Sequence, residues 1–356
     1  MRTGMTAFLE RLGITLPIVQ APMAGGPDTP ELAAAVSRAG GLGSLGCAYL
    51  STSAMEDVVA RARAQTSNPI GVNLFVREDS KADVGAEERA SNVLAPFRRE
   101  LGLPASPPPP KPVPSFSEQF ACVLRLRPRV FSFTFGMPSP AQIRALRDAN
   151  IVSVGTATSL DEARALEALG VDAICAQGSE AGGHRGTFLG RFEDSLIGTL
   201  ALTRQIVSNA RVPVVAAGGI MDGAGIVAAL ALGAAAVQLG TAFLLCPEAG
   251  TAPAYRAALT SPEGRTTVIT RAFSGRPARG VRNRMTDAFE REEAAPFPQQ
   301  QHLTADLRAA ATNESRADLM QLWSGQGAPL LRTMPAAALV RTLATEANLM
   351  PRREAP

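Results

Sequence analysis

Residues 212–241 read VPVVAAGGIMDGAGIVAALALGAAAVQLGT. Two short apolar runs, Val212–Ala217 and Ala235–Gly240, flank a helix-like stretch, Asp222–Leu232. Inside this segment Ala224–Leu245 spans 22 residues with only Gln238 and Thr241 polar, which is long enough for a membrane helix. Gly233 divides the run into a half with helical character and a half with strand character, so it reads as a buried helix followed by a buried parallel strand. That is one strand–helix–strand unit. The fold then turns on how many such units the chain holds and whether their sheet closes.

Six more apolar runs precede it: Pro17–Met23, Gly41–Gly46, Pro69–Phe75, Val130–Gly136, Ile151–Ala157 and Val171–Gln177. Helical patterns separate them at Pro30–Ala39, Ala54–Ala64, Pro140–Ala149 and Asp161–Leu169. Thr29 is placed to cap the first of these, with Pro30 at its first helical position. Eight strand candidates predict an α/β fold, a TIM (β/α)8 barrel whose active site lies at the C-terminal ends of the strands. A doubly wound open sheet is the alternative; glycines at the ends of the last two strands favour the barrel. Residues 1–250 are assigned to the barrel. An insertion at about 77–129 follows the third strand and carries PASPPPPKPVP at 104–114, which reads as an extended linker or a clamp over the barrel mouth. Residues 251–356 form a C-terminal extension, with helical patterns at Thr304–Ala311 and Ala336–Ala347 making a helical cap.

Composition narrows the function. The 356 residues include 35 Lys+Arg and 32 Asp+Glu, a net charge of +3, so no electrostatic footprint for nucleic acid or an anionic membrane is expected. Hydrophobic residues at 46% supply a large core. Cys47, Cys122, Cys175 and Cys246 form no CxxC pair, and with only His184 and His302 no metal site is expected. The N-terminus shows no secretory signal, and a cytoplasmic protein with reduced thiols is expected.

Gly41, Gly43 and Gly46 spell G-x-G-x-x-G, but a helix rather than a strand precedes them and no acidic residue follows near twenty positions on. They read as a tight turn with close packing. A phosphate site is better placed at VVAAGG (214–219) and QLGT (238–241), where glycines after the last two strands expose backbone N–H groups and a following helix start adds a favourable dipole. QGSEAGGHRG, residues 177–186, sets His184 among four glycines in a loop after the sixth strand. A histidine there has little packing role and can act as a base or bind an anion. Arg185 beside it reads equally as a solvated residue. Cys175, inside an apolar strand, reads as a buried inert thiol.

QAPMAGG (20–26), GVNLF (71–75), QGSEAGGHRG (177–186), AAGGI (216–220), QLGT (238–241) and LWSGQG (322–327) occur in barrel order. Together they resemble the class I nitronate monooxygenases, formerly called 2-nitropropane dioxygenases, over about residues 14–330. The resemblance implies an FMN-containing barrel that oxidises alkyl nitronates with O2 to carbonyl compounds and nitrite without a metal. It implies that Ala21, Pro22 and Met23 line the flavin ring, that Asn73, Gln177 and Gly182 hold the ring and its carbonyl edge, and that Gly219 with Gln238, Leu239, Gly240 and Thr241 binds the ribityl phosphate. His184 matches the active-site histidine, either hydrogen-bonding the nitronate or taking the α-proton of a neutral nitroalkane. The family's cavity tyrosines are mostly absent: this chain has only Tyr49 and Tyr255, with Phe297 and His302 in the late segment where cavity groups are expected. An FMN-dependent NAD(P)H reductase of the enoyl-acyl-carrier-protein or quinone type, and a flavin-binding barrel without turnover, are the alternatives. The expected partners are a small nitronate or nitroalkane and O2, with a homo-oligomer left open.

Overall fold

The computed structural model describes residues 2–76, 83–109 and 114–349. In chain order its first nine strands are β1 (Ile18–Gln20), β2 (Gly43–Gly46), β3 (Ile70–Phe75), β4 (Val130–Thr134), β5 (Val152–Ala157), β6 (Ala173–Gln177), β7 (Gly183–His184), β8 (Val214–Ala217) and β9 (Ala236–Leu239). All but β7 pair in parallel, in the order β1-β9-β8-β6-β5-β4-β3-β2. The two ends of this sheet meet. Leu42 N–H donates to Ile18 O at 2.9 Å, and Gln20 N–H to Leu42 O at 2.9 Å. The eight strands therefore close into the expected barrel.

Each strand falls inside an apolar run because it is covered on both faces; every residue of β1, β2, β3, β5 and β8 is buried. Thr29 caps the helix Pro30–Arg38 by accepting from Leu32 N–H at 3.0 Å. A Cβ on Gly43 would stand 2.0 Å from Ala33 O, so this glycine lets that helix lie directly on β2. The G-x-G-x-x-G decoy is thus a packing device. The long apolar run resolves into the helix Gly223–Ala231, Gly233 at φ +99°, and β9. Among the described residues no helix is long and apolar enough to cross a membrane. At the far end of the barrel, Phe8 and Leu12 of the N-terminal helix Arg2–Leu12 pack with Val130, Val152 and Val215.

The insertion is more than its proline run. It holds two helices, Val84–Glu100 and Phe116–Leu126, the second opening with a Ser115/Glu118 capping box. Residues 104–109 of the proline run are irregular chain; 110–113 lie outside the described residues. Helix Phe116–Leu126 packs on the helix Thr52–Gln65 and on β3. Helix Val84–Glu100 joins a different core, in which Leu94 and Phe97 meet Phe273, Leu303, Leu307 and Leu322. The late segment of that core contains β10 (Thr267–Thr270) and β11 (Ala278–Val281), and β11 pairs antiparallel with both β10 and β7. The late helical patterns appear as the helices Ala305–Asn313 and Ala336–Glu346. The last of these bridges two barrel helices. Ala336 N–H donates to Glu248, whose carbonyl accepts from Thr29, and Glu346 accepts from Gly223 N–H at 2.9 Å.

One ion pair ties the insertion to the late segment. Arg98 donates to both carboxylate oxygens of Asp306, at 2.9 and 2.6 Å, with its side chain only 3% exposed. Removing one member of such a pair strands a buried charge. Asp306→Ala is expected to lower the unfolding free energy by about 3 kcal/mol in chemical denaturation. Arg89→Ala, which breaks an exposed pair with Glu293, is expected to cost under about 1 kcal/mol.

Candidate active site

A cavity of about 350 Å³ opens at the C-terminal ends of the barrel strands, between them and the late segment. Every residue that the resemblance assigns to the flavin or the active-site histidine lines it; Phe297 and His302 do not. Ala21, Pro22 and Met23 arrive from the end of β1, Asn73 from β3, Gln177 from β6, and Gly182 and His184 from the glycine loop. Gly219 follows β8, and Gln238, Leu239, Gly240 and Thr241 close β9.

Hydrogen bonding sorts these residues. Asn73 Nδ2 donates to Ser132 Oγ at 2.9 Å on the neighbouring β4. Gln177 is largely committed to its own loop: Nε2 donates to His184 O at 2.9 Å, while Oε1 accepts from Gly186 N–H at 2.8 Å and from Arg185 at 3.2 Å. Its carboxamide thus shapes the His184 loop and keeps one N–H for anything else. Arg185 is neither solvated nor in the cavity. It is buried and donates to the carbonyls of Gln177, Gly178 and Ser195, a strut beneath the loop.

Three glycine-bearing chain segments converge at one end. Gly325 N–H donates to Thr241 Oγ1 at 2.9 Å, a Cβ on Gly182 would stand 2.5 Å from Gly325 N, and one on Gly327 would stand 3.0 Å from Gly219 O. Gly219 itself sits at φ +70°, where L side chains are strained. This makes a cradle of bare backbone. The adjacent start of helix Gly223–Ala231 contributes little, because Asp222 caps Gly225 N–H and Glu346 takes Gly223 N–H.

At the other end stands an aromatic wall around His184. Phe135 and Phe75 lie 4.5 Å apart, and the His184 ring is 5.7 Å from Phe135 and 5.4 Å from Trp323. Arg276 stacks over Phe135 at 4.0 Å. His184 Nε2 is 2.8 Å from Ser274 Oγ. Loss of solvent, then the Arg276 and Arg308 charges, push the imidazole down to about 3. The ring is therefore neutral near pH 7. The Cys175 thiol, in the wall of the cavity, is pushed up to about 12 by burial and is inert.

Sequence reasoning missed several members. Arg308 reaches the cavity from the helix Ala305–Asn313, held by Gln321 Oε1 at 3.0 Å and Gln301 O at 3.0 Å. Its only signal was an arginine within a helical pattern. Phe75, Phe135 and Trp323 carried none beyond membership of apolar or motif stretches, and Ser274 carried none at all. Tyr49 and Tyr255 both line the cavity; His302 does not, while its neighbour Gln301 does. Among the described residues that line the cavity, none is acidic. The described lining carries one charged side chain, the cationic Arg308, and a neutral histidine.

The comparisons with known proteins agree with this geometry. A family model described as nitronate monooxygenase matches residues 6–346. A probable nitronate monooxygenase of Staphylococcus aureus strain MSSA476 is 42% identical over 348 residues, covering 95% of this chain and 96% of its own. A solved nitroalkane oxidase from Streptomyces ansochromogenes superposes with a TM-score of 0.91 at 42% identity, covering 96% of this chain and 98% of its own. FabK from Thermotoga maritima superposes with a TM-score of 0.75 at 28% identity, covering 96% of each chain. With a family match along nearly its whole length, and a cavity built from the same motifs, the chain belongs to the nitronate monooxygenase family of oxidoreductases.

Proposed function

We propose that the protein binds FMN and oxidises alkyl nitronates with O2 to carbonyl compounds and nitrite. Two nitronates and one O2 balance to two carbonyl compounds and two nitrite ions. The observation that carries the reading is the pairing, in one cavity, of a glycine backbone cradle with the cationic Arg308 and a neutral histidine. Residues 1–250 supply the flavin-binding barrel and 251–356 cap it. All four cysteines are buried free thiols, which suits a reducing compartment such as the cytoplasm.

The residues present fit the cofactor. Gly219, with Gln238, Leu239, Gly240 and Thr241, would hold the ribityl phosphate through backbone and hydroxyl donors. Ala21, Pro22 and Met23 would face the ring, and Asn73, Gln177 and Gly182 would border it. FMN, when bound, supplies the redox chemistry with O2 that no side chain here can perform. The chain's own residues select and hold the substrate. Arg276 and Arg308 favour an anion. His184 Nε2 pairs with Ser274 Oγ at 2.8 Å, and in the tautomer protonated at Nδ1 the ring donates to a nitronate oxygen. A ring that resists protonation this strongly is a poor acceptor for the α-proton of a nitroalkane, so His184 acts as an anion binder rather than a base. The aromatic wall of Phe75, Phe135 and Trp323 excludes water from the reacting atoms.

Denaturation of the purified protein is expected to release FMN; release of FAD, or a colourless protein, refutes the assignment. Gly240 sits at φ −108° and tolerates a side chain without backbone strain, so Gly240→Asp is expected to lose FMN by charge repulsion while melting at the temperature of the flavin-stripped wild-type protein. Anaerobic titration separates the rivals. Bleaching of the flavin band by a nitronate supports this reading, bleaching by NAD(P)H alone supports a reductase, and bleaching by neither leaves a binding module.

For His184 the expected result is a pH-independent kcat/KM on preformed nitronates, with no histidine inflection between about pH 5 and 8. His184→Ala should lower that kcat/KM by about 10- to 100-fold, the loss of a hydrogen bond to a charged group, with flavin content unchanged. An inflection near the ordinary histidine range that vanishes in the variant would restore the base role.

A further inference from the structure

We propose that Asp28 is a positioning residue: its carboxylate fastens the Ala21–Gly26 segment, one wall of the cavity, to the end of β2 and so sets the shape that the flavin must fit. The inference rests on the flavin reading above. Asp28 does not line the cavity itself. A single oxygen, Oδ2, accepts from Met23 N–H at 2.8 Å, within the segment, and from Gly46 N–H at 2.5 Å, at the last residue of β2. No helix or sheet ladder supplies these two N–H groups with a partner, so the carboxylate does.

The contact is built for close approach. A Cβ on Gly46 would stand 2.6 Å from Ala24 N, so the strand end meets the segment as bare backbone. On the opposite side Gly250 N–H donates to Pro27 O at 3.0 Å, a Cβ there would stand 2.3 Å from Gly26 O, and Thr29 Oγ1 donates to Glu248 O at 2.6 Å. Those ties hold the base of the segment. Gly25 and Gly26 are at φ +98° and +136°, and nothing lies within 4 Å of where a Gly26 Cβ would be. Two adjacent glycines have the most conformational freedom to regain. Asp28 supplies the tie that holds Met23 against β2.

The carboxylate is held there at a cost. Loss of solvent pushes Asp28 up to about 6, against the pull of its backbone donors, and the same charge helps raise the neighbouring Cys47 thiol. An acid kept in so unfavourable a place is consistent with a role that its hydrogen bonds perform and a neutral filler would not.

The test uses full-length protein stripped of flavin, with Asp28→Ala and with Asp28→Asn, which keeps an acceptor oxygen. In Asp28→Ala, amide exchange across residues 21–28 is expected to quicken by about tenfold or more, and the FMN dissociation constant to rise by about 10- to 100-fold, the loss of hydrogen bonds to a charged group. Exchange elsewhere in the barrel should stay unchanged. Asp28→Asn should recover most of both effects. If Asp28→Ala does not fold, the same readouts are taken on Asp28→Ser, which shortens the acceptor. Wild-type exchange in the variant overturns the inference, as does faster exchange with undiminished FMN affinity, or an Asn variant as impaired as the Ala or Ser variant. A wild-type protein that takes up no FMN overturns the flavin reading instead, and exchange alone then decides whether Asp28 fastens the segment.

Discussion

Closure of the parallel sheet is the constraint on which the rest depends. A strand buried on both faces has no water for its backbone groups, so an open edge inside this molecule would leave a row of unpaired N–H and C=O groups. The bonds from Leu42 to Ile18 and from Gln20 to Leu42 remove that edge. Once the barrel is closed, every strand ends at the same rim. The segments after β1, β6, β8 and β9, unrelated in sequence, are then forced around one cavity. The N-terminal helix seals the opposite end with Phe8 and Leu12, which leaves one end for chemistry.

The barrel strands and the loops after them do not make that cavity alone. His184 belongs to β7, a two-residue strand with no place in the barrel, and its backbone pairs with Ala278 of β11. Its ring nitrogen meets Ser274, and its ring faces Trp323. The histidine is therefore set by the late segment as much as by the glycine loop that carries it. The late segment is in turn fixed by the insertion helix Val84–Glu100 through a shared apolar core and the Arg98–Asp306 pair. The insertion helix and the late segment thus share one apolar core beside the barrel.

Electrostatics then follows from who contributes what. Barrel rim residues facing the cavity are small, apolar or amide-bearing. The cations Arg276 and Arg308 both arrive with the late segment, and no acidic side chain lines the cavity among the described residues. A positively biased space holds an imidazole neutral and favours an anionic guest, because the cost of protonating the ring rises as water is removed and like charge is brought near. The acids close to the cavity are turned to other work: Glu180 accepts from Thr199 at the start of the helix Thr199–Asn209, and Asp28 ties backbone to backbone.

The barrel and its rim were legible in the sequence because both are written locally. Eight apolar runs mark strands covered on both faces, Thr29–Pro30 marks a helix start, and glycines mark chain that must approach other chain or a ligand. The break at Gly233 alone separated a buried helix and strand from a membrane span. The family motifs added His184 and the rim residues lining the cavity. What the sequence left open depends on contacts between distant residues. It read the proline run as an extended linker or a clamp, and nothing local showed that Leu94 and Phe97 of the insertion are buried with residues some two hundred positions later. It singled out Arg185, as a residue of the loop or of the solvent, and not Arg308; tertiary packing buried the first on carbonyls and aimed the second at the cavity. Local pattern records whether a residue is covered, but which partner covers it, and hence what a charge does there, is decided only when the chain folds back on itself.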